Sequence, residues 1–319
     1  MKIALLEPLR VSRSTIDKLA LPLRKLGHDF IAYDSKAKTS EELFARSKAC
    51  EVVMIANTPY PREVISRLTQ TRLINVAFTG VDHVDMSACR EKGIKVCNAA
   101  GYSNQAVAEQ AIGMALSLYR HLNKSDQTIR LGNAFLGPMM GQEIKGKTVG
   151  IVGTGAIGLA TARLFKAFGA QLLGYNRTQK TEALAMGMTY CSLDTLLAKS
   201  DIVSVHLPAT VETKHLLDAH AFRRMKKSAI FLNLARGAIV DNYALTCALN
   251  AGELAGAGID VFETEPPLPD DYPLLSAHNC LLTPHTAYLT QEAMLHRAQI
   301  AFDKTLAYVE GKAVNYMLS

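Results

Sequence analysis

Short apolar runs alternate with longer amphipathic stretches from one end of the chain to the other. Residues 2–6, 52–55, 73–78 and 94–97 have strand length and β-branched content. Between them, residues 40–49, 61–68 and 87–92 carry helical spacing or helix-starting side chains. A second series of apolar runs follows Gly146, at residues 148–152, 171–175, 202–206, 230–233 and 256–260. Residues 103–122 separate the two series and are apolar at helical intervals, at Val107, Ile112, Ala115 and Leu118. Such alternation predicts parallel sheets with helices on both faces. The expected fold is α/β, with two doubly wound parallel-sheet domains joined near residue 98. A last amphipathic stretch, residues 291–308, predicts one helix with Ala293, Met294, Ala298, Ala301 and Leu306 on its buried face. The pattern does not say which domain that helix joins.

Composition works mainly by exclusion. Half of the 319 residues (49%) are apolar and 20% are charged, which is incompatible with intrinsic disorder. Thirty-five Lys and Arg against 29 Asp and Glu give a net charge of +6, and the cations are scattered. A nucleic-acid surface is unsupported. The most apolar charge-free run, residues 148–162, carries four glycines and is too short for a membrane span, which needs ~20 residues. The apolar run at residues 3–6 is too short for a signal peptide. Six cysteines, at 50, 89, 97, 191, 247 and 280, form no CxxC pair and read as reduced, buried thiols of a cytoplasmic protein. The histidines are dispersed, and no spacing suggests a metal site.

Gly153-Thr154-Gly155-Ala156-Ile157-Gly158 matches G-x-G-x-x-G. The match gains weight from its place, after an apolar run and before a helical stretch closed by Gly169, with a second apolar run beyond. That is the βαβ frame of a dinucleotide site. Gly153 permits the tight turn, Gly155 lets a pyrophosphate approach, and Gly158 lets helix and strand pack closely. The amides of Ala156 and Ile157 open the helix toward the phosphates. At the end of the second strand an Asp or Glu would ordinarily bond the adenosine ribose. Here the residues are Asn176, Arg177 and Thr178. A 2′-phosphate is repelled by a carboxylate and attracted by Arg beside a hydroxyl, so NADP is favoured over NAD. Two blander readings stay open: Asn176 can bond a ribose hydroxyl, and Arg177 can simply face solvent.

Three further segments, Asn233-Leu234-Ala235-Arg236-Gly237, Gly258-Ile259-Asp260-Val261-Phe262-Glu263-Thr264-Glu265-Pro266 and Leu282-Thr283-Pro284-His285, resemble the D-isomer-specific 2-hydroxyacid dehydrogenase family. Upstream, Gly80-Val81-Asp82-His83-Val84-Asp85, Asn98-Ala99-Ala100-Gly101-Tyr102-Ser103 and Val107-Ala108-Glu109 match its substrate-side loops. With the glycine fingerprint the resemblance covers nearly the whole chain, in order. It implies that Arg236 binds the substrate carboxylate and keto oxygen, that His285 donates the proton, and that Glu265 pairs with His285. It sets Asp260 near the nicotinamide, with Ala235 and the backbone of His206 and Pro208 among the cofactor contacts. It brings the Gly80 and Val81 amides to the substrate carboxylate and Asn57 to the substrate side chain. The reaction independently wants such a set. Negative charge grows on the carbonyl oxygen during reduction of a 2-keto acid, so a cation and an acid must be aimed there.

The resemblance further implies a Rossmann cofactor domain, residues 99–286, inserted in a flavodoxin-like substrate domain, residues 1–98 and 287–319. It also implies a homodimer formed through the cofactor domains. Glu263 is a neighbouring alternative to Glu265, and the Glu265-Pro266 step favours the latter. His83 and His206 read as local loop groups. After His285 comes Thr286-Ala287-Tyr288, not the Ile-Gly-Gly-Ser of the phosphoglycerate branch, and with the last residue at Ser319 no regulatory extension is expected. The expected substrates are therefore small 2-keto acids of the hydroxypyruvate, glyoxylate or pyruvate type. The alternatives are 3-phosphoglycerate dehydrogenase and a non-catalytic, cofactor-sensing partner-binding protein on the same fold.

Overall fold

The computed structural model describes residues 1–132 and 140–318. The chain forms two compact units, Met1–Ser103 with Leu289–Ser319, and Asn104–Tyr288. Among the described residues, no helix is long and apolar enough to cross a membrane.

The first unit is built on strands β1 (Lys2–Leu5), β2 (Asp29–Ala32), β3 (Val52–Ile55), β4 (Leu73–Val76) and β5 (Lys95–Asn98). A late strand, β13 (Tyr316–Leu318), joins the same sheet. The order is β13-β5-β4-β3-β1-β2, parallel throughout except for the antiparallel edge strand β13. Central strands β3 and β4 are buried at every position, as unbroken apolar runs in a parallel sheet should be. The C-terminal helix Gln291–Val309 belongs to this unit. Ala293, Met294, Ala298 and Ala301 are buried as expected, Leu306 only partly so. A buried amide on the sheet fixes the helix: Asn75 Nδ2 donates to the Ala301 carbonyl (2.7 Å) and to Thr305 Oγ1 (2.8 Å).

The second unit holds β6 (Thr148–Val152), β7 (Gln171–Tyr175), β8 (Thr189–Tyr190), β9 (Ile202–Val205), β10 (Ile230–Asn233), β11 (Gly256–Ile259) and β12 (Cys280–Leu282). Their order is β12-β11-β10-β9-β6-β7-β8, all parallel. Alternate residues feed the two faces of this sheet. Ile230 and Leu232 pack with helices Asn104–Tyr119 and Ala156–Ala167, while Phe231 packs with helices Leu193–Lys199, Ala219–Arg224 and Asn242–Asn250. The chain reverses direction across the sheet between β6 and β9, and a ligand crevice in such a sheet lies at the carboxyl ends of those strands.

All six cysteines are free. The expectation of buried thiols holds for Cys50, Cys89 and Cys97, whereas Cys191 and Cys280 are only partly buried. Cys247 is exposed, because helix Asn242–Asn250 turns its neighbours Thr246 and Ala248 inward.

Candidate active site

The glycine turn sits at the end of β6. Gly153 has a φ of +99°, and a Cβ there would come within 2.7 Å of the His206 carbonyl oxygen on β9's continuation. A Cβ on Gly158 would overlap the Gly153 carbonyl. Gly155 differs: a Cβ there meets nothing within 4 Å, so the backbone is open on that side. Gly155 also caps helix Ala156–Ala167 without a side-chain hydrogen bond, leaving the first-turn amides, those of Ala156 and Ile157 included, to an outside acceptor. Open backbone and unclaimed amides at a helix N-terminus fit a dinucleotide pyrophosphate.

Two features of this end are silent in the motif. Thr154 is fully buried, and its Oγ1 lies 2.7 Å from Tyr190 Oη; the same hydroxyl accepts from the Lys180 amide at 3.0 Å. Tyr190 thereby ties the phosphate turn to the turn after β7, across 36 residues of sequence. In that second turn Asn176 Nδ2 donates to the Thr178 carbonyl at 2.7 Å, while Arg177 and Thr178 are exposed. His206 Nε2 lies 2.9 Å from Ser204 Oγ, and burial pushes its pKa down to about 4, so it is a neutral structural ring. The loop beyond it is held by Thr213 Oγ1 donating to the Pro208 carbonyl at 2.7 Å.

The remaining residues of this unit stand at the carboxyl ends of three adjacent strands, β10, β11 and β12. Arg236 follows β10 in a turn set by buried Asn233, whose Nδ2 donates to the Arg236 carbonyl (3.0 Å) and whose Oδ1 accepts from the Ala235 amide (3.1 Å). Arg236 Nη1 donates to the Ala235 carbonyl at 2.7 Å. Gly237 lies flush against the Phe262 backbone, leaving no room for a side chain.

Asp260 follows β11 and is fully buried. Its Oδ1 accepts from Thr283 Oγ1 (2.5 Å) and the Thr286 amide (2.9 Å), and its Oδ2 from the Ala287 amide (3.0 Å). Burial raises its pKa above the ordinary aspartate value, and these hydrogen bonds oppose that shift. The Asp260 carbonyl also accepts the His285 amide at 2.8 Å. Asp260 therefore clamps the loop that carries His285, a residue at φ +51°, where a side chain other than glycine is uncommon.

His285 Nδ1 lies 2.7 Å from Glu265 Oε1, with the Tyr288 ring edge-on at 5.8 Å. Glu263, the neighbouring acid, lies 3.3 Å from His215 Nε2 instead. Asn57, Gly80 and Val81 belong to the other unit, after β3 and β4, where Asn57 Oδ1 accepts from Lys36 Nζ at 2.6 Å. Among the described residues, no group of three or more His, Cys, Asp or Glu could hold a metal ion.

Residues 112–287 match the family model described as D-isomer specific 2-hydroxyacid dehydrogenase, NAD binding domain. The chain belongs to the D-isomer-specific 2-hydroxyacid dehydrogenase family. Glyoxylate reductase of Thermofilum pendens is 37% identical over 295 residues, 89% of this chain and 86% of that protein. Among solved structures, an acyclic imino acid reductase in complex with NADPH and D-Arg superposes with a TM-score of 0.89 at 27% identity, over 100% of both chains. D-lactate dehydrogenase of Aquifex aeolicus, complexed with NAD and lactic acid, gives 0.85 at 28% identity over 100% and 99%. The chain is accordingly an oxidoreductase of the 2-hydroxyacid dehydrogenase class, with two parallel-sheet α/β domains and a nicotinamide-dinucleotide domain of Rossmann type.

Proposed function

We propose that this enzyme reduces small 2-keto acids of the hydroxypyruvate, glyoxylate or pyruvate type to D-2-hydroxy acids, with NADPH preferred over NADH. The observation that carries the reading is the 2.7 Å contact between His285 Nδ1 and Glu265, on a loop clamped by Asp260 beside the Arg236 turn. The bound reduced nicotinamide supplies the hydride. Gly153, Gly155, Ala156, Ile157 and Gly158 hold the pyrophosphate by backbone. Asn176, Arg177 and Thr178 meet the adenosine ribose, and Ala235 and the backbone of His206 and Pro208 border the cofactor. Arg236 grips the substrate carboxylate and keto oxygen with its planar fork, a geometry that Lys lacks. With Nδ1 engaged by Glu265, His285 presents Nε2 as the proton donor to the developing alkoxide. Glu265 fixes that tautomer and offsets the imidazolium charge. Asn57 and the Gly80 and Val81 amides take the rest of the substrate, which makes the first unit the substrate domain.

The preference for NADPH rests on the absence of an acid at Asn176 and on the exposed guanidinium beside it. We further propose a cytoplasmic homodimer. Helix Leu122–Arg130 in the cofactor unit buries none of its residues and leaves Leu122 and Ile129 exposed, as a face awaiting a second copy does; sedimentation equilibrium tests it. The test of function is oxidation of NADPH and NADH followed by absorbance against pyruvate, glyoxylate, hydroxypyruvate and 3-phosphohydroxypyruvate, with chiral analysis of the product. An L-product, or turnover with the phosphorylated acid alone, refutes the reading.

A further inference from the structure

Glu7 is a fully buried carboxylate two residues past β1, at the carboxyl edge of the first unit's sheet. Its Oε1 accepts the amides of Ala56 (2.8 Å) and Thr58 (2.9 Å), in the loop that leaves β3. Strands β1 and β3 are adjacent, and the chain reverses direction across the sheet between them. That is where an open parallel sheet forms its ligand crevice. The second oxygen, Oε2, is buried and makes no hydrogen bond. Its neighbour is the ammonium of Lys36, 3.7 Å away, on a side chain that is 54% exposed. Lys36 in turn donates to Oδ1 of exposed Asn57 at 2.6 Å.

A buried acid without a full set of donors is costly and needs a reason. Here it anchors the loop carrying Asn57 and stations an ammonium at the loop's rim. Donors remain on these two exposed side chains: a third Lys36 N–H and the Nδ2 hydrogens of Asn57. The carboxylate beneath balances the ammonium, so the pair is close to neutral as seen by a ligand. The neighbouring His83 adds little positive charge, since burial holds it toward its neutral form.

On the reading that Asn57 faces the substrate side chain, we infer that Glu7, Lys36 and Asn57 form a specificity site for an uncharged, hydrogen-bonding group at the distal end of the 2-keto acid, a hydroxyl in particular. Lys36 and Asn57 touch that group; Glu7 is a positioning residue that also sets the local charge. A methyl group offers nothing to the two donors. A distal phosphate gains from Lys36 but is repelled by Glu7.

The test compares kcat/KM for pyruvate, hydroxypyruvate and 3-phosphohydroxypyruvate in the full-length wild type, Lys36→Met and Glu7→Gln. The wild type should prefer hydroxypyruvate to both others. Lys36→Met should lower the hydroxypyruvate-to-pyruvate ratio by at least about tenfold, the loss of a charge-assisted hydrogen bond. Glu7→Gln keeps an acceptor for the two amides and unmasks the ammonium. It should raise the ratio of the phosphorylated acid to hydroxypyruvate by at least about tenfold. A merely structural role for Glu7 would lower all three activities together and leave that ratio unmoved. If Glu7→Gln does not fold, the exposed Lys36→Met variant decides alone. An unchanged ratio in Lys36→Met overturns the inference while the reductase assignment stands. No turnover of any of the three acids overturns the inference, and no turnover of glyoxylate either refutes the assignment with it.

Discussion

Asp260→Asn is the sharpest probe of how the His285 loop is held. The carboxylate has both oxygens in use, Oδ1 by Thr283 and Thr286 and Oδ2 by the Ala287 amide. A carboxamide of the same shape has one acceptor oxygen and an NH2 group. Whichever way it turns, one buried backbone N–H faces another donor. Leaving such a group unpaired costs about 1–3 kcal/mol. The variant recovers part of this, because burial makes ionised Asp260 less stable than a free aspartate. A net loss of about 1–2 kcal/mol is expected. At roughly 1.4 kcal/mol per decade this raises the ratio of displaced to held loop by about five- to thirtyfold, and misplacing a proton donor by an ångström can cost about a hundredfold.

The expected result for Asp260→Asn is therefore a kcat lower by about tenfold to a hundredfold, with NADPH affinity within about threefold of wild type. Urea unfolding should show the accompanying stability loss. The pH dependence has a definite sign. Asp260 has a folded pKa above the ordinary aspartate value of 3.8, so its own titration favours folding most at low pH. The wild type's advantage over the Asn variant should shrink as pH rises from below 3.8 through the folded value. Unchanged kcat would refute the clamp; an advantage that grows across that window would mean that the hydrogen bonds outweigh burial at Asp260.

Four other outcomes follow from the same geometry. Gly155→Ala should fold with normal stability but bind NADPH at least about tenfold more weakly, whereas Gly158→Ala, whose Cβ overlaps a carbonyl, should lose stability as well; calorimetry of both separates the effects. His285→Ala should reduce kcat by ~10²–10⁴, and Arg236→Ala should weaken substrate binding and turnover together while leaving cofactor titrations unchanged. Asn176→Asp and Arg177→Ala should each erode a roughly ten- to hundredfold preference for NADPH in kcat/KM, and a wild type preferring NADH would overturn that choice. His206 has a folded pKa of about 4, below the ordinary histidine value of 6.5, so its contribution to stability should be lost as pH falls from 6.5 through 4. A His206→Asn variant lacking this fall, seen in urea midpoints against pH, is the check.

What could be read from the sequence divides by the range of the interactions involved. β3, β6 and β10 end where the apolar runs end, because strands buried on both faces write their length directly into composition. Helix Arg13–Lys25 and strand β2 gave no such signal. That helix buries only Ile16, Ala20 and Leu23 and contains Pro22, and β2 is an edge strand with one fully buried residue. The candidate site residues were legible in two ways: Arg236, Glu265 and His285 through the resemblance of the segments that carry them to the family, and the three glycines through their spacing in a βαβ frame.

Residues that shape the site through distant partners were not legible. The hydroxyl of Tyr190 matters because Thr154 lies against it from 36 positions upstream. Glu7 matters because the amides that it holds come from loop residues 49 and 51 positions downstream. Near the start of the chain it is simply one acid among others, at the point where the apolar run of β1 gives way to Pro8. Its chemistry exists only once β1 and β3 are paired. On the inference drawn for Glu7, selectivity among 2-keto acids should track such long-range contacts, and a chain with the same Arg, Glu and His motifs but no acid at this position should differ in its preference for hydroxypyruvate.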